Sequence, residues 1–302
     1  MPRDPDGIFS GATEKIKETD MTLTKDKTLF VSDLDGTLLT PQAVLADGDA
    51  GRINALTRRG LQITYATART IASSAKILED IAFSDGAPPV SLMNGVLACD
   101  MASRQYVDCA KFSTGCAAEI LRRMKESDSY PFIYSLMDGG QLMTHYTEIR
   151  NSAMQSFMDE RKVRSGKPFR RIDDVTEVGG DVIYFCIIAG EADVLRAYHS
   201  VDGVPGIKRT YYEDSYAPGT WYLEIFDEKA SKKHAEEFLR AYTGAEYIVC
   251  FGDNRNDLPM FAAADVAVAV PNAVQETKDA ADAIAWDGVV SYIERFAEEM
   301  GW

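Results

Sequence analysis

The chain is short of positive charge, of histidine and of long apolar runs, and each shortage removes a class of function. Lys and Arg number 32 against 47 Asp and Glu, a formal net charge of −15 at pH 7. Nucleic-acid affinity comes mainly from cations that displace counterions from phosphates, so this carboxylate excess argues against a nucleic-acid partner. The same electrostatics argue against an anionic membrane surface. No stretch approaches the ~18 uninterrupted apolar residues of a membrane-spanning helix. The opening Met1–Lys27 is polar and has no apolar segment of signal-peptide length. The five cysteines, Cys99, Cys109, Cys116, Cys186 and Cys250, are odd in number, widely spaced and free of any C-x-x-C pair. Neither a disulfide framework nor a thiolate zinc site is written here, and a reducing cytoplasm is the expected location. The three histidines, His145, His199 and His234, sit in unrelated segments without metal-ligand spacing; structural or exposed roles are expected for them.

What is present is 302 residues at 46% hydrophobic content, enough for one large domain or two ordinary ones. Residues 1–24 read as a disordered tail. From Lys27 onward, apolar runs alternate with helical patterns: Lys27–Ser32, Asp49–Arg59, Leu61–Ala66, Ile71–Ala82 and Val90–Met93. Strands alternating with helices indicate a parallel sheet covered on both faces. The rhythm then breaks. Two extended runs, Tyr130–Met137 and Gln141–His145, meet at Asp138-Gly139-Gly140, a hairpin signal. Helices at Thr114–Glu126, Glu148–Arg161 and Glu191–Tyr198 and strands at Asp181–Ala189 and Gly206–Tyr212 complete an α+β insert, with Ala217-Pro218-Gly219 as its expected far boundary. Alternation resumes with an expected core strand at Trp221–Phe226, followed by Ala230–Ala241, Tyr247–Phe251, Asn256–Ala263, Val266–Val270 and Gly288–Glu299. The fold class is therefore α/β, a Rossmann-like doubly wound parallel-sheet core over residues 25–101 and 217–302, interrupted by an inserted α+β domain over 102–216.

Ligands of open α/β sheets bind beyond the carboxyl ends of the strands, so polar residues just after apolar runs carry the chemistry. Strand one runs into Asp33-Leu34-Asp35-Gly36-Thr37, strand two into Thr67-Ala68-Arg69, a later helix carries Lys232, and a later strand ends in Gly252-Asp253-Asn254-Arg255-Asn256-Asp257. Carboxylates, a hydroxyl and an ammonium at one sheet edge are what magnesium-dependent phosphoryl transfer requires. Magnesium takes one or two protein carboxylates plus substrate phosphate, and Asp33 and Asp253 suit that role. Asp33, last on its strand, is placed to attack phosphorus. Asp35, with Gly36 permitting the turn, is placed to protonate the leaving oxygen and then to activate water. Lys232 and Thr67 would hold phosphoryl oxygens, and Asp257 would orient Lys232. An EF-hand is excluded, because neither aspartate cluster has Gly at the sixth loop position.

D-L-D-G-T at Asp33–Thr37, Thr67 after an apolar strand, Ser231-Lys232, and G-D-N-R-N-D at Gly252–Asp257 resemble, in order, the four motifs of the haloacid dehalogenase superfamily. Asn94-Gly95, Leu223-Glu224-Ile225 and Ala267–Ala273, with the insert between motifs two and three, are similar to its Cof-type branch, whose insert is an α+β cap. The resemblance implies a phosphatase of small phosphorylated metabolites with Asp33 as nucleophile and Asp35 as general acid and base. It implies magnesium held by Asp33, Asp253 and the Asp35 carbonyl, with Thr67, Lys232 and Asn256 on the phosphate and Asp257, Gly36 and Asn94 in support. A sugar phosphate leads the substrate expectation, with phosphorylated cofactors behind it. Two positions depart from the pattern: Ala68 stands where Gly is usual, and Lys233 where Gly commonly follows the motif-three lysine. Lys233 adds charge near the site's rim. Two other readings stay open: a phosphomutase of the phosphomannomutase type, and a non-catalytic protein that binds a phosphorylated ligand. The intact Asp35 speaks against the second, since a binder needs no proton shuttle.

Overall fold

A computed structural model describes residues 23–214 and 217–302. The expected tail lies outside these except at its end, where Leu23 is buried and the Thr24 carbonyl accepts from Lys27 N and Thr28 Oγ1. The ordered chain therefore begins earlier than residue 25. It divides into two compact units, one formed by the segments up to Asp108 and from Ser231 onward, the other by Cys109–Ala230.

The first unit is built on a five-stranded parallel sheet ordered β14-β13-β12-β1-β2. Its strands are β1 (Thr28–Ser32), β2 (Gln62–Tyr65), β12 (Tyr247–Gly252), β13 (Val266–Ala269) and β14 (Ala283–Ile284). Every residue of β1, β12 and β13 is buried, as strands covered on both faces require. Helix α1 (Asp49–Arg58) and the C-terminal helix α9 (Val289–Glu299) are tied by Arg52, whose guanidinium donates to Glu294 and Ser291. Beyond β2, Ala66 bridges in parallel to Ser91 of β3 (Val90–Leu92). β3 opens a three-stranded sheet with β4 (Leu97–Asp100) and β5 (Gln105–Cys109), two strands not anticipated from the sequence. Helix α2 (Ile71–Ile77) is shorter than the periodicity predicts; α6 (Lys232–Thr243), α7 (Leu258–Phe261) and α8 (Gln275–Asp279) complete the unit.

The second unit is a six-stranded sheet ordered β10-β11-β9-β6-β7-β8. β6 (Phe132–Leu136) and β7 (Leu142–Tyr146) form the expected hairpin. β8 (Phe169–Arg171), β9 (Asp181–Ala189), β10 (Ile207–Glu213) and β11 (Trp221–Asp227) follow. One face of the sheet sets Ile133, Phe185, Ile187, Leu223 and Ile225 against helices α3 (Thr114–Glu126) and α5 (Glu191–Ser200). On the opposite face, Phe157 of α4 (Ser152–Ser165) stacks on Phe132 at 5.2 Å.

β11 corrects the sequence reading. The strand expected to return the chain to the parallel core pairs antiparallel with β9 and β10, from Glu213↔Trp221 onward. Ala217-Pro218-Gly219 is thus part of a β10–β11 connection, not a domain boundary. The insert spans Cys109–Ala230, not 102–216, because these pairings consume the backbone hydrogen bonds of Trp221–Phe226 within its own sheet.

Candidate active site

The site assembles at the carboxyl end of the parallel sheet. Asp33 continues β1, its N–H donating to the Phe251 carbonyl of β12 at 3.0 Å, so strand pairing fixes where its side chain emerges. After Asp33 the chain turns sharply through Gly36, which has φ +80°; a Cβ there would lie 2.3 Å from Asp253 Oδ2. Only glycine allows the two aspartate loops to approach this closely. Across the sheet, β12 ends at Gly252, and Asp253 begins a loop whose carbonyl accepts from Val274 N at 2.9 Å.

Lys232 joins these loops. Its helix is capped by Ser231, whose hydroxyl accepts from His234 N at 3.0 Å. Gly95 (φ +88°) packs so tightly on the Ser231 carbonyl that a Cβ would come within 2.2 Å of it. The first helical residue therefore has little room to shift. The Lys232 ammonium, 2% exposed, sits 2.5 Å from Asp33 Oδ1 and 2.5 Å from Asp257 Oδ1. The other Asp257 oxygen accepts from Asp253 N (2.9 Å) and Asn254 N (3.0 Å). Asp257 thus fastens the ammonium to the Asp253 loop, and both of its oxygens are spent.

Charge in this cluster is out of balance. Burial pushes the Asp33 carboxyl up to about 7 against the downward pull of Lys232, with Asp257 and Asp253 adding to the rise. Burial, then Asp257, lifts Asp253 to about 6. Burial alone would lower Lys232, but Asp33 and Asp257 outweigh it and hold the ammonium above the ordinary lysine range. One firm cation faces more carboxylates than it can satisfy. Ligand oxygens of Asp33, Asp253 and Asp257 lie within 4.8 Å of one another. Since Asp257 has no oxygen to spare, Asp33 and Asp253 are the residues free to hold a metal. Hard oxygen donors with unmet negative charge fit a small divalent cation.

Asp35 stands differently from Asp33. Both its oxygens are taken by Arg69, through Nε at 2.6 Å and the terminal nitrogen at 2.5 Å, while Ser73 Oγ holds the other guanidinium nitrogen at 3.0 Å. Arg69 is the partner the sequence reading missed, although it stands two residues after Thr67. Thr67 is buried, with its Oγ1 accepting from Arg69 N at 3.2 Å. Asn94, in the left-handed region at φ 55°, donates its N–H to the Thr67 carbonyl at 2.9 Å. Two more contacts went unread: Asn272 Nδ2 on the Gly36 carbonyl at 2.7 Å, and Thr37 Oγ1 at 3.5 Å from Asp253. Asn256 is exposed, and its side chain makes no hydrogen bond to any described residue. Lys233 points away from Lys232, pairing with Glu237 at 3.6 Å in solvent. Of the histidines, His145 is buried beside Ser135, His199 is exposed, and His234 pairs with Asp108 at 3.1 Å.

The family profile of haloacid dehalogenase-like hydrolases matches residues 30–289. The chain is 25% identical over 264 residues to the 5-amino-6-(5-phospho-D-ribitylamino)uracil phosphatase YwtE of Bacillus subtilis, covering 82% of this chain and 88% of that one. Among solved structures, a haloacid dehalogenase-like hydrolase from Bacteroides thetaiotaomicron superposes with a TM-score of 0.69 at 21% identity, over 89% of this chain and 99% of the other. The subclass IIB sugar phosphatase BT4131 superposes with a TM-score of 0.63 at 18% identity, over 90% and 99%. At such identities these two structures speak to the fold alone. No helix among the described residues is long and apolar enough to cross a membrane.

Proposed function

Because this chain belongs to the haloacid dehalogenase-like hydrolase family, we propose that it is a magnesium-dependent phosphatase of small phosphorylated metabolites, sugar phosphates foremost. The observation that carries the reading is the buried Lys232 ammonium bridging Asp33 and Asp257, with Asp253 alongside. A lysine buried this deeply among carboxylates is costly unless it serves an anion that arrives later. Magnesium on Asp33, Asp253 and the Asp35 carbonyl would supply the charge that offsets repulsion between an anionic nucleophile and a phosphoryl dianion. The chain's own groups do the rest. An Asp33 oxygen forms the bond to phosphorus while the bond to the leaving oxygen breaks and Asp35 gives that oxygen a proton. Water then attacks the aspartyl-phosphate, Asp35 takes its proton, and inorganic phosphate leaves with the Asp33 carboxylate restored. Lys232, Thr67 and Asn256 are offered to the phosphoryl oxygens, and Asp257 keeps Lys232 aimed.

The sugar-phosphate preference draws support from BT4131, named a sugar phosphatase; YwtE, named for a ribityl phosphate substrate, keeps the class at small phosphate esters. Five cysteines, none of them in a disulfide, suit a reducing cytoplasm. The test is Asp33→Asn assayed on an aryl phosphate, with and without chelator. Hydrolysis by the wild type should stop on chelation and return with magnesium, and the variant should be inert though folded. Turnover by Asp33→Asn within tenfold of wild type would remove the nucleophile, and full activity after chelation would remove the metal.

A further inference from the structure

The insert carries a half-buried acid that the chemistry above leaves idle. Along β11, Tyr222, Glu224 and Phe226 alternate onto the sheet face opposite α3 and α5, and β9 contributes Tyr184 and Cys186 to the same face. Tyr212 stacks on Tyr222 at 5.5 Å and Tyr184 on Phe226 at 5.8 Å, both within 8° of parallel. Glu224 lies between the two stacks and accepts from Tyr212 OH at 3.0 Å and from Tyr184. Burial raises its pKa, and those two hydroxyls only partly offset the rise. No Lys, Arg or His among the described residues pairs with it.

A carboxylate in this setting is expensive, and two phenol donors fill only part of its acceptor capacity. If Glu224 served the fold alone, glutamine would accept the same two hydrogen bonds without the charge. The surrounding rings favour a cation as well, because aromatic faces attract positive charge. On the same face the Arg161 guanidinium sits 3.5 Å over the Phe157 ring, and Lys167 Nζ lies 3.7 Å over Tyr134, where burial lowers its pKa to about 7. Those groups are engaged with their own rings. Tyr212, at the β10 edge, is 44% exposed, so the Glu224 face reaches solvent at that ring.

We propose that the tyrosine-lined face around Glu224 is a recognition site for a primary ammonium carried on a small polar ring, as in an amino sugar. The claim is one of binding and stands on the insert's own residues.

The experiment uses the full chain and phosphate-free probes. Glucosamine and glucose, which differ only in an ammonium against a hydroxyl, are titrated while tyrosine fluorescence is followed. Glucosamine should bind at least about tenfold more tightly, the scale of one desolvated cation–π and carboxylate contact. Glu224→Gln should erase that difference, and Tyr212→Ala, at an exposed position, should weaken glucosamine binding even if the first variant fails to fold. Equal affinity in wild type, or a preference that survives in folded Glu224→Gln, overturns the proposal. A wild type inert toward every phosphate ester would refute the phosphatase reading alone, and the titration would still decide this one.

Discussion

The fork between Arg69 and Asp35 gives Asp35, the acid–base residue of the proposed function, a fixed direction. A guanidinium meeting both carboxylate oxygens at 2.5 and 2.6 Å, and itself tied to Ser73, removes rotational freedom that an aspartate half exposed to solvent would otherwise have. Arg69 is therefore a positioning residue. Its loss should slow esters whose leaving oxygen needs a proton more than aryl esters, whose leaving group departs readily. We expect Arg69→Ala to cut kcat for alkyl phosphates by about tenfold or more relative to aryl phosphates, with Arg69→Lys restoring little because a single ammonium cannot form the fork. An equal fall for both ester types would place the role of Arg69 elsewhere. Glu236 offers a second test, away from the chemistry. It is buried on α6, which pushes its carboxyl up to about 7, and Arg240, 3.4 Å away, offsets little of this because its guanidinium lies nearer Asp265 at 2.7 Å. An acid raised on folding costs nothing while it is protonated in both states, and costs progressively more as pH climbs past its unfolded value toward 7. Glu236→Gln should therefore stabilise the protein by about 1–3 kcal/mol at pH 8 and by little at pH 5. Urea unfolding at the two pH values checks this, and a pH-independent difference would refute it. Asp33 and Asp253 were legible because each follows an apolar core run at a position where ligands bind, and Asp257 because it shares the Asp253 loop; Lys232 was legible from its motif alone, since the strand before it belongs to the insert. Arg69 and Asn272 were not, since an arginine or asparagine in a loop reads the same whether it faces a carboxylate or water.

Elements were legible in proportion to how much of their burial pattern the sequence displays. β1 and β12 are unbroken apolar runs, and they sit where the sequence puts them, in the middle of the parallel sheet. β11 was assigned to the wrong sheet although its residues carried the correct signal. Leu223 and Ile225 are buried on one face while Tyr222 and Glu224 point to the other, the alternation of an antiparallel strand rather than of a doubly covered one. β8, α8 and β14, at most five residues each, are too short for any periodicity to register. The junction of Gly95 with the first residue of α6 is the element-scale contact on which Lys232 depends. Placing a methyl group there forces a positive φ on alanine and a 2.2 Å approach to the Ser231 carbonyl. Gly95→Ala should cost about 2–4 kcal/mol and depress hydrolysis by displacing Lys232. Thermal melts and aryl phosphate assays on the same preparation test both halves; a variant as stable and active as wild type would show that the helix start tolerates movement.

At the scale of the molecule, chemistry and insertion are separable along the chain. Asp33, Asp35, Lys232, Asp253 and Asp257 all belong to the first unit, and the chain leaves that unit after Asp108 and rejoins it at Ser231. The two crossing points are close in space, because Asp108 Oδ2 lies 3.1 Å from His234 Nε2, three residues past the return. A short Gly/Ser segment can therefore replace residues 109–230 without stretching the core. The sequence alone could not have marked these ends, since the expected boundary at Ala217-Pro218-Gly219 lies within a strand connection of the insert. Under the proposed function, the shortened protein should keep hydrolysing aryl phosphate, whose recognition needs only the phosphoryl group. It should also lose discrimination among sugar phosphates, since contacts to the remainder of the substrate are what separate one kcat/KM from another. The comparison is a panel of kcat/KM values for the full and shortened chains, after circular dichroism has established that both are folded. If the folded shortened chain keeps the same order of preference, specificity resides on the first unit. Arg255, exposed beside Glu276 at the edge of the Asp253 loop, would then be the residue to exchange first, ahead of Lys233, whose charge is directed away from the site toward Glu237.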